Sequence, residues 1–187
     1  DSILLVVELL KKITEGYSVV TIGNSSGGYM AMIVGRLLNA SHVLSFGGVF
    51  SLYKWGGSYN EYTFEDCSFF TKYIGTPKSD FFDIRNLLNN TSNICPIFHF
   101  YSSDSISDVP QVETISSGSY NVFPISIKGK VHGITLLPCN FPYIISESCE
   151  KLTKIVNTIG NRPISSLRFS MKYVGKYITI RYYFNRV

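Results

Sequence analysis

The residue types needed for covalent acyl chemistry occur in this chain in a telling order: a serine between glycines, then two loop aspartates, then a loop histidine. The serine is Ser25, in the pentad Gly-Asn-Ser-Ser-Gly at residues 23–27. An apolar, β-branched stretch at 17–22 precedes it, and a helix-like run from Gly28 to Leu38 follows. A G-x-S-x-G at a strand-to-helix turn is the pattern of a nucleophile elbow, which perches a hydroxyl above the end of a sheet. Gly23 and Gly27 are expected to remove Cβ atoms that would clash in the strained turn. The following helix aims its free N–H groups and positive dipole end at a developing oxyanion. The backbone N–H of Ser26 is therefore the expected oxyanion donor.

A serine hydroxyl attacks only when a base takes its proton and an acid holds that base. His132 is the expected base. It lies in Lys-Gly-Lys-Val-His-Gly at 128–133, a loop just past the strand candidate 120–127, where an imidazole can take a proton and return it. His42 and His99 fall inside strand-like runs, where a hydrogen-bonded core histidine is expected. Asp104 is the preferred acid, three residues beyond the aromatic strand candidate 96–101. Asp108 stays open as the alternate. Its Asp-Val-Pro-Gln at 108–111 has the form of a capping box, with Asp108 at the N-cap and Gln111 at N3.

With Ser, Asp and His in this order, the chain resembles the α/β-hydrolase superfamily over roughly residues 3–159. Its elbow Gly-Asn-Ser-Ser-Gly-Gly and the stretches His-Phe-Tyr-Ser-Ser-Asp and Lys-Val-His-Gly-Ile-Thr-Leu-Leu-Pro are similar to hydrolase-like proteins of bacterial surface-polysaccharide gene clusters. Some of those are sugar O-acetyltransferases. The resemblance implies a serine hydrolase that cleaves an acyl ester, including one on a carbohydrate, through an acyl-enzyme. The alternative is a polysaccharide O-acetyltransferase using the same residues, with acetyl-CoA as acyl donor. A third reading is a non-catalytic, hydrolase-like binding protein. Hydrolysis by these residues needs no metal or redox cofactor, and no metal-ligand cluster is visible.

Positioning such a trio requires a mostly parallel sheet with flanking helices, and strands alternating with helices argue for one. Strands are expected at 17–22, 41–46, 96–101 and 120–127, and helices at about 3–13, 26–38, 79–88, 110 onward and 142–159. Small residues Gly28, Ala31 and Gly35, with Gly27, keep one face of the second helix narrow enough to lie against a sheet. Residues 51–94 break the alternation and are rich in aromatics beside Gly, Asn and Ser. They read as a cap insertion, a platform suited to sugar faces or simply lid packing. A complete fold of this type has three or four more strands before the helix that feeds the elbow, and one oxyanion donor among them. Here the chain starts at that helix, so the expectation is either that the chain is a fragment or that those strands lie on another piece. Residues 1–160 form the expected core, and 161–187 a basic extension, either a strand pair or an out-of-place tail.

Composition narrows the class further. Charged residues make up 16% and aromatics 14% of 187 residues, the profile of one folded core of ordinary size. No apolar run approaches the eighteen or so residues of a membrane span. The apolar start, residues 2–10, lacks a basic leader and a small-residue cleavage site, so it reads as a helix of the fold. Cysteines 67, 95, 139 and 149 show no C-x-x-C spacing. Reduced thiols and a cytoplasmic setting are the expectation. Six of the 17 basic residues and none of the acidic ones lie in 161–187, which leaves eleven basic against thirteen acidic elsewhere. Without a binding fold or stacking motif, that tail does not argue for nucleic acid. Lys128 and Lys130 beside the histidine read as solvated, or as attractors for an anionic glycan.

Overall fold

Four short runs, β1 (Val20–Asn24), β2 (His42–Phe46), β3 (Ile97–Ser102) and β4 (Val122–Ile127), pair in parallel in the order β1-β2-β3-β4. The computed structural model of the chain describes residues 3–52, 76, 81–90, 95–115, 120–133 and 136–184. Parallel pairing needs a crossover between consecutive strands, and here helices supply it. Between β1 and β2 runs α2 (Ser26–Leu38), and between β2 and β3 runs α3 (Ile84–Asn90). Between β3 and β4 lies the short α4 (Asp108–Glu113). Preceding them all is α1 (Ile3–Ile13). After β4 come a single 3₁₀ turn at Pro138–Asn140, α5 (Phe141–Ser146), α6 (Cys149–Ile159) and α7 (Ser166–Phe169).

Strand side chains alternate between two buried faces, as the period of two demands. Val43 and Ile97 pack with Tyr29, Met32 and Ile33 of α2 and Ile84 of α3 on one face. Leu44, Phe46, Phe98 and Phe100 pack with Leu152 and Ile155 of α6 and Phe169 of α7 on the other. The central strands β2 and β3 are thus buried on both sides. Truncating a fully buried ring such as Phe98 would cost about 3–5 kcal/mol. This is the parallel sheet with flanking helices that the alternation of elements predicts.

The small face of α2 does what a close helix-to-sheet contact requires. A Cβ on Gly35 would sit 2.4 Å from Val43 Cγ2 and 2.5 Å from Thr21 Oγ1, so only glycine lets the helix lie that near. Gly27 has no part in this contact, since it is exposed.

Two expectations change. The helix expected over 142–159 is two helices, because Glu147 is extended (φ −79°, ψ 147°) and Ser148 then caps α6, accepting the Lys151 N–H at 3.3 Å. The tail is helical and not a strand pair. After α7 come a π-helical turn (Ser170–Val174) and α8 (Lys176–Phe184). Buried Phe169, Ser170 and Thr179 and the 2.5 Å contact between the Ser170 and Thr179 hydroxyls hold it against the domain, and tertiary contact overrides the strand propensity of its β-branched residues. On α1 the apolar stripe buries only Val7, and Leu4, Leu5, Val6, Leu9 and Ile13 remain exposed. The cap expected over 51–94 lies mostly outside the described residues. Within it, Ser51 makes an antiparallel bridge to Asp83 just before α3. Among the described residues, no helix is long and apolar enough to cross a membrane.

Candidate active site

Ser25 sits between β1 and α2 with φ 52° and ψ −120°, a left-handed backbone that non-glycine residues adopt only when their surroundings force it. Those surroundings are visible. The Ser25 N–H donates to the Phe46 carbonyl at 2.8 Å, which extends the β1–β2 pairing, and the Ser25 carbonyl accepts the Tyr29 N–H at 3.1 Å. Gly23 is indispensable to the turn: a Cβ there would lie 2.0 Å from the Gly27 carbonyl oxygen. For Gly27 the expectation fails, since a Cβ would meet nothing within 4 Å. Compression in the elbow falls on its first glycine because the chain folds back over that residue. Ser26 is the first residue of α2, where an N–H has no intrahelical acceptor.

His132 reaches the elbow from the loop after β4. Its Nε2 lies 2.8 Å from Ser25 Oγ, a hydrogen bond spanning 107 residues of sequence. Two glycines make the approach close enough. A Cβ on Gly47, at the end of β2, would stand 2.7 Å from Gly133 Cα, and one on Gly133 would stand 2.9 Å from Asn24 Oδ1. Both have positive φ, 56° and 94°. The histidine loop therefore lies directly across the ends of β1 and β2.

The carboxylate that meets His132 Nδ1 is Asp108 Oδ1, not Asp104. Asp104 is exposed, and its N–H donates to the Gly129 carbonyl at 2.9 Å. Only about 1% of the Asp108 side chain is exposed, and its second oxygen accepts the Ser102 N–H at 3.2 Å. The capping-box reading of Asp108 also fails. It is the first residue of α4 rather than the N-cap, and its own N–H donates to Ser105 Oγ at 3.2 Å. Gln111 does not reach back to it. Its Oε1 accepts the N–H groups of Phe50 and Ser51 at 2.8 and 3.0 Å, and its Nε2 donates to the Ser51 carbonyl at 3.1 Å. That tie fastens the loop after β2 to α4. The turn at 102–107 swings the first aspartate outward and the second inward, a choice that spacing along the chain does not encode.

Ser102 was not singled out in the sequence. Fully buried at the end of β3, it gives its N–H to Asp108 and its hydroxyl to the carbonyl of Val131, the residue before His132. The one available signal was a serine closing an otherwise aromatic strand.

Below this cluster His99 is fully buried, and its Nδ1 lies 3.2 Å from Ser45 Oγ. Its Nε2 is buried without a hydrogen-bond partner, so the expected core histidine is only half satisfied. Burial pushes its pKa down from 6.5 to about 4. The Asp108 carboxylate opposes that shift and His132 reinforces it, so His99 feels the field of both. His42 is likewise buried and lowered by desolvation. No group of His, Cys, Asp and Glu among the described residues has the arrangement of a metal site.

No family model matches the chain, and no curated protein matches it in sequence. Solved structures do match in fold. A protein of unknown function from Staphylococcus aureus subsp. aureus Mu50 is similar with a TM-score of 0.52 at 14% identity, over 81% of this chain and 68% of that one. Acetyl xylan esterase 1 from Thermoanaerobacterium sp. JW/SL YS485 is similar with a TM-score of 0.50 at 14% identity, over 80% of this chain. The chain spans about half the length of that esterase (52%). At this identity the likeness is one of fold: the sheet and its helices are α/β-hydrolase-like.

Proposed function

We propose that the chain carries the catalytic serine, histidine and aspartate of an esterase: Ser25 as nucleophile, His132 as general base and Asp108 as the acid that orients it. The observation that carries this reading is the 2.8 Å contact between Ser25 Oγ and His132 Nε2, made by a serine in strained left-handed backbone. With the Nδ1 proton directed at buried Asp108, Nε2 is free to accept the hydroxyl proton. Ser25 Oγ then bonds to the ester carbonyl carbon, and the oxyanion develops at the N-terminus of α2, where the Ser26 N–H can donate to it. His132 passes its proton to the leaving alcohol as the carbonyl–oxygen bond breaks. Water, giving a proton to His132, then attacks the acyl carbon, and the bond to Ser25 Oγ breaks as His132 returns that proton to Oγ, releasing the acid and free Ser25.

About a third of the His132 side chain (32%) is exposed, so water can reach the imidazole for that step. The fold likeness to a protein named for acetyl xylan supports an acylated carbohydrate as the substrate class. Transfer from acetyl-CoA to a polysaccharide and a purely binding role remain the readings to be beaten.

A fluorophosphonate probe tests the nucleophile. Labelling of the wild-type chain that disappears in Ser25→Ala, with unchanged thermal unfolding, is the expected result. Equal labelling of both proteins, or of neither, overturns the assignment. Acetate release from p-nitrophenyl acetate, with and without added oligosaccharide, then separates hydrolysis from transfer: an acetylated sugar product identifies transfer.

A further inference from the structure

The basic surplus of the last 27 residues plays no part in the ester chemistry, and the fold gathers half of it in one place. Arg162, Arg168 and Lys172 join Lys128, the residue after β4, around a cavity of about 280 Å³. They come from four separate positions: the end of β4, the turn after α6, α7 and the π-helical turn. What brings them together is backbone pairing. Ile164 bridges Ile127 in parallel, with the Ile164 N–H donating to Ser126 at 3.0 Å and the Lys128 N–H to Ile164 at 2.9 Å. The tail is thereby pinned along the free edge of β4.

No aspartate or glutamate lines this cavity, and none of the four cations makes an ion pair among the described residues. Like charges held at one concavity repel, and the simplest compensation is an anion between them. Tyr173 also lines the cavity, with Lys172 Nζ 5.2 Å from its ring centroid, and its hydroxyl is buried without a hydrogen-bond partner. The volume is near the lower bound of small-molecule sites.

We propose that this cavity binds a multiply charged oxyanion, of the phosphate or phosphate-ester class, through Lys128, Arg162, Arg168 and Lys172. Guanidinium groups match such oxygens with paired N–H donors, and the ammonium groups add point charge. The cavity lies beyond β4, three strand spacings from β1, which is roughly 14 Å across the sheet from the elbow strand. None of Ser25, Ser102, Asp108 and His132 lines it, so ligand binding here does not depend on the esterase reading.

The test is titration calorimetry of the intact wild-type chain with inorganic pyrophosphate at low salt, against two charge-matched double variants. Arg168→Gln/Lys172→Gln removes two cavity cations, whereas Lys11→Gln/Lys12→Gln removes two from the distant helix α1. Thermal unfolding without ligand checks that each variant is folded. If the cavity variant unfolds early, Arg162→Gln alone replaces it, since Arg162 is exposed and outside any helix. The expected result is saturable binding, weakened at least about tenfold by the cavity variant and unchanged by the α1 variant. Absence of saturable binding to the wild type, or equal weakening by both variants, overturns the proposal.

Discussion

The Ser102 N–H points at one oxygen of the Asp108 carboxylate, 3.2 Å away, while the other oxygen of Asp108 meets His132. A buried carboxylate with both oxygens committed is held in one orientation, and among the described residues it is the carboxylate that meets the histidine. On the proposed mechanism, Asp108→Asn lowers kcat for p-nitrophenyl acetate by roughly 10³–10⁴-fold, because an amide disturbs the imidazole tautomer. Asp104→Asn, on an exposed side chain, changes it by no more than about twofold. Steady-state kinetics of the two variants side by side decides the point. A larger loss in Asp104→Asn would reverse the assignment of the acid.

The side chain of Ser102 holds the histidine loop through the Val131 carbonyl, while its backbone holds Asp108. Ser102→Ala keeps the second tie and cuts the first. We expect kcat to fall about tenfold with KM unchanged, the size of one lost hydrogen bond expressed in the transition state. Ser102→Thr, which restores the hydroxyl, should recover most of the rate. Equal losses in both variants would mean that packing, not the hydroxyl, matters here.

The elbow glycines are not equivalent. Gly23→Ala drives a Cβ to 2.0 Å from the Gly27 carbonyl, a backbone collision that no side-chain rotation relieves. This variant should be insoluble, or unfold well below the wild type in a thermal melt. Gly27→Ala meets open space and places a better helix former in the first turn of α2, so stability holds or rises by up to about 1 kcal/mol. Its labelling by a fluorophosphonate should persist. A Gly23→Ala chain as stable as the wild type would contradict the geometry of the turn.

Buried His99 gives stability a pH dependence of definite sign. The unfolded chain takes up the proton near pH 6.5, but the folded chain only near 4. Between those values the unfolded state binds more protons, so stability rises with pH across the window. The contribution is complete above 6.5 and gone below about 4. Urea unfolding at about pH 5 and about pH 7 should therefore differ by roughly 2 kcal/mol on account of this residue. His99→Gln should remove that part of the difference while leaving the share of other groups. An identical pH difference in wild type and variant would exclude His99 as its source.

The local pattern carried much of this architecture. The strand-to-helix turn at Ser25, the bounds of α2 at Ser26–Leu38 and the four parallel strands follow from apolar period, β-branching and glycine placement, all properties of a few neighbouring residues. The meeting of His132 with Ser25 was legible too, because a histidine in a polar loop just past an apolar strand is placed to reach the elbow hydroxyl. The sequence was mute on the choice between Asp104 and Asp108, four residues apart in one polar loop. Only the turn of the chain over Ser102 and Ser105 buries one carboxylate and exposes the other. The same holds for the tail. Its β-branched residues favour a strand in isolation, but docking of Phe169 into the core and pairing of Ile164 with β4 make it helical beyond that point and gather Arg162, Arg168 and Lys172 around one cavity. Short-range preference sets which elements form. Contacts between residues distant in sequence, each stabilised only when the others are in place, decide which side chains meet.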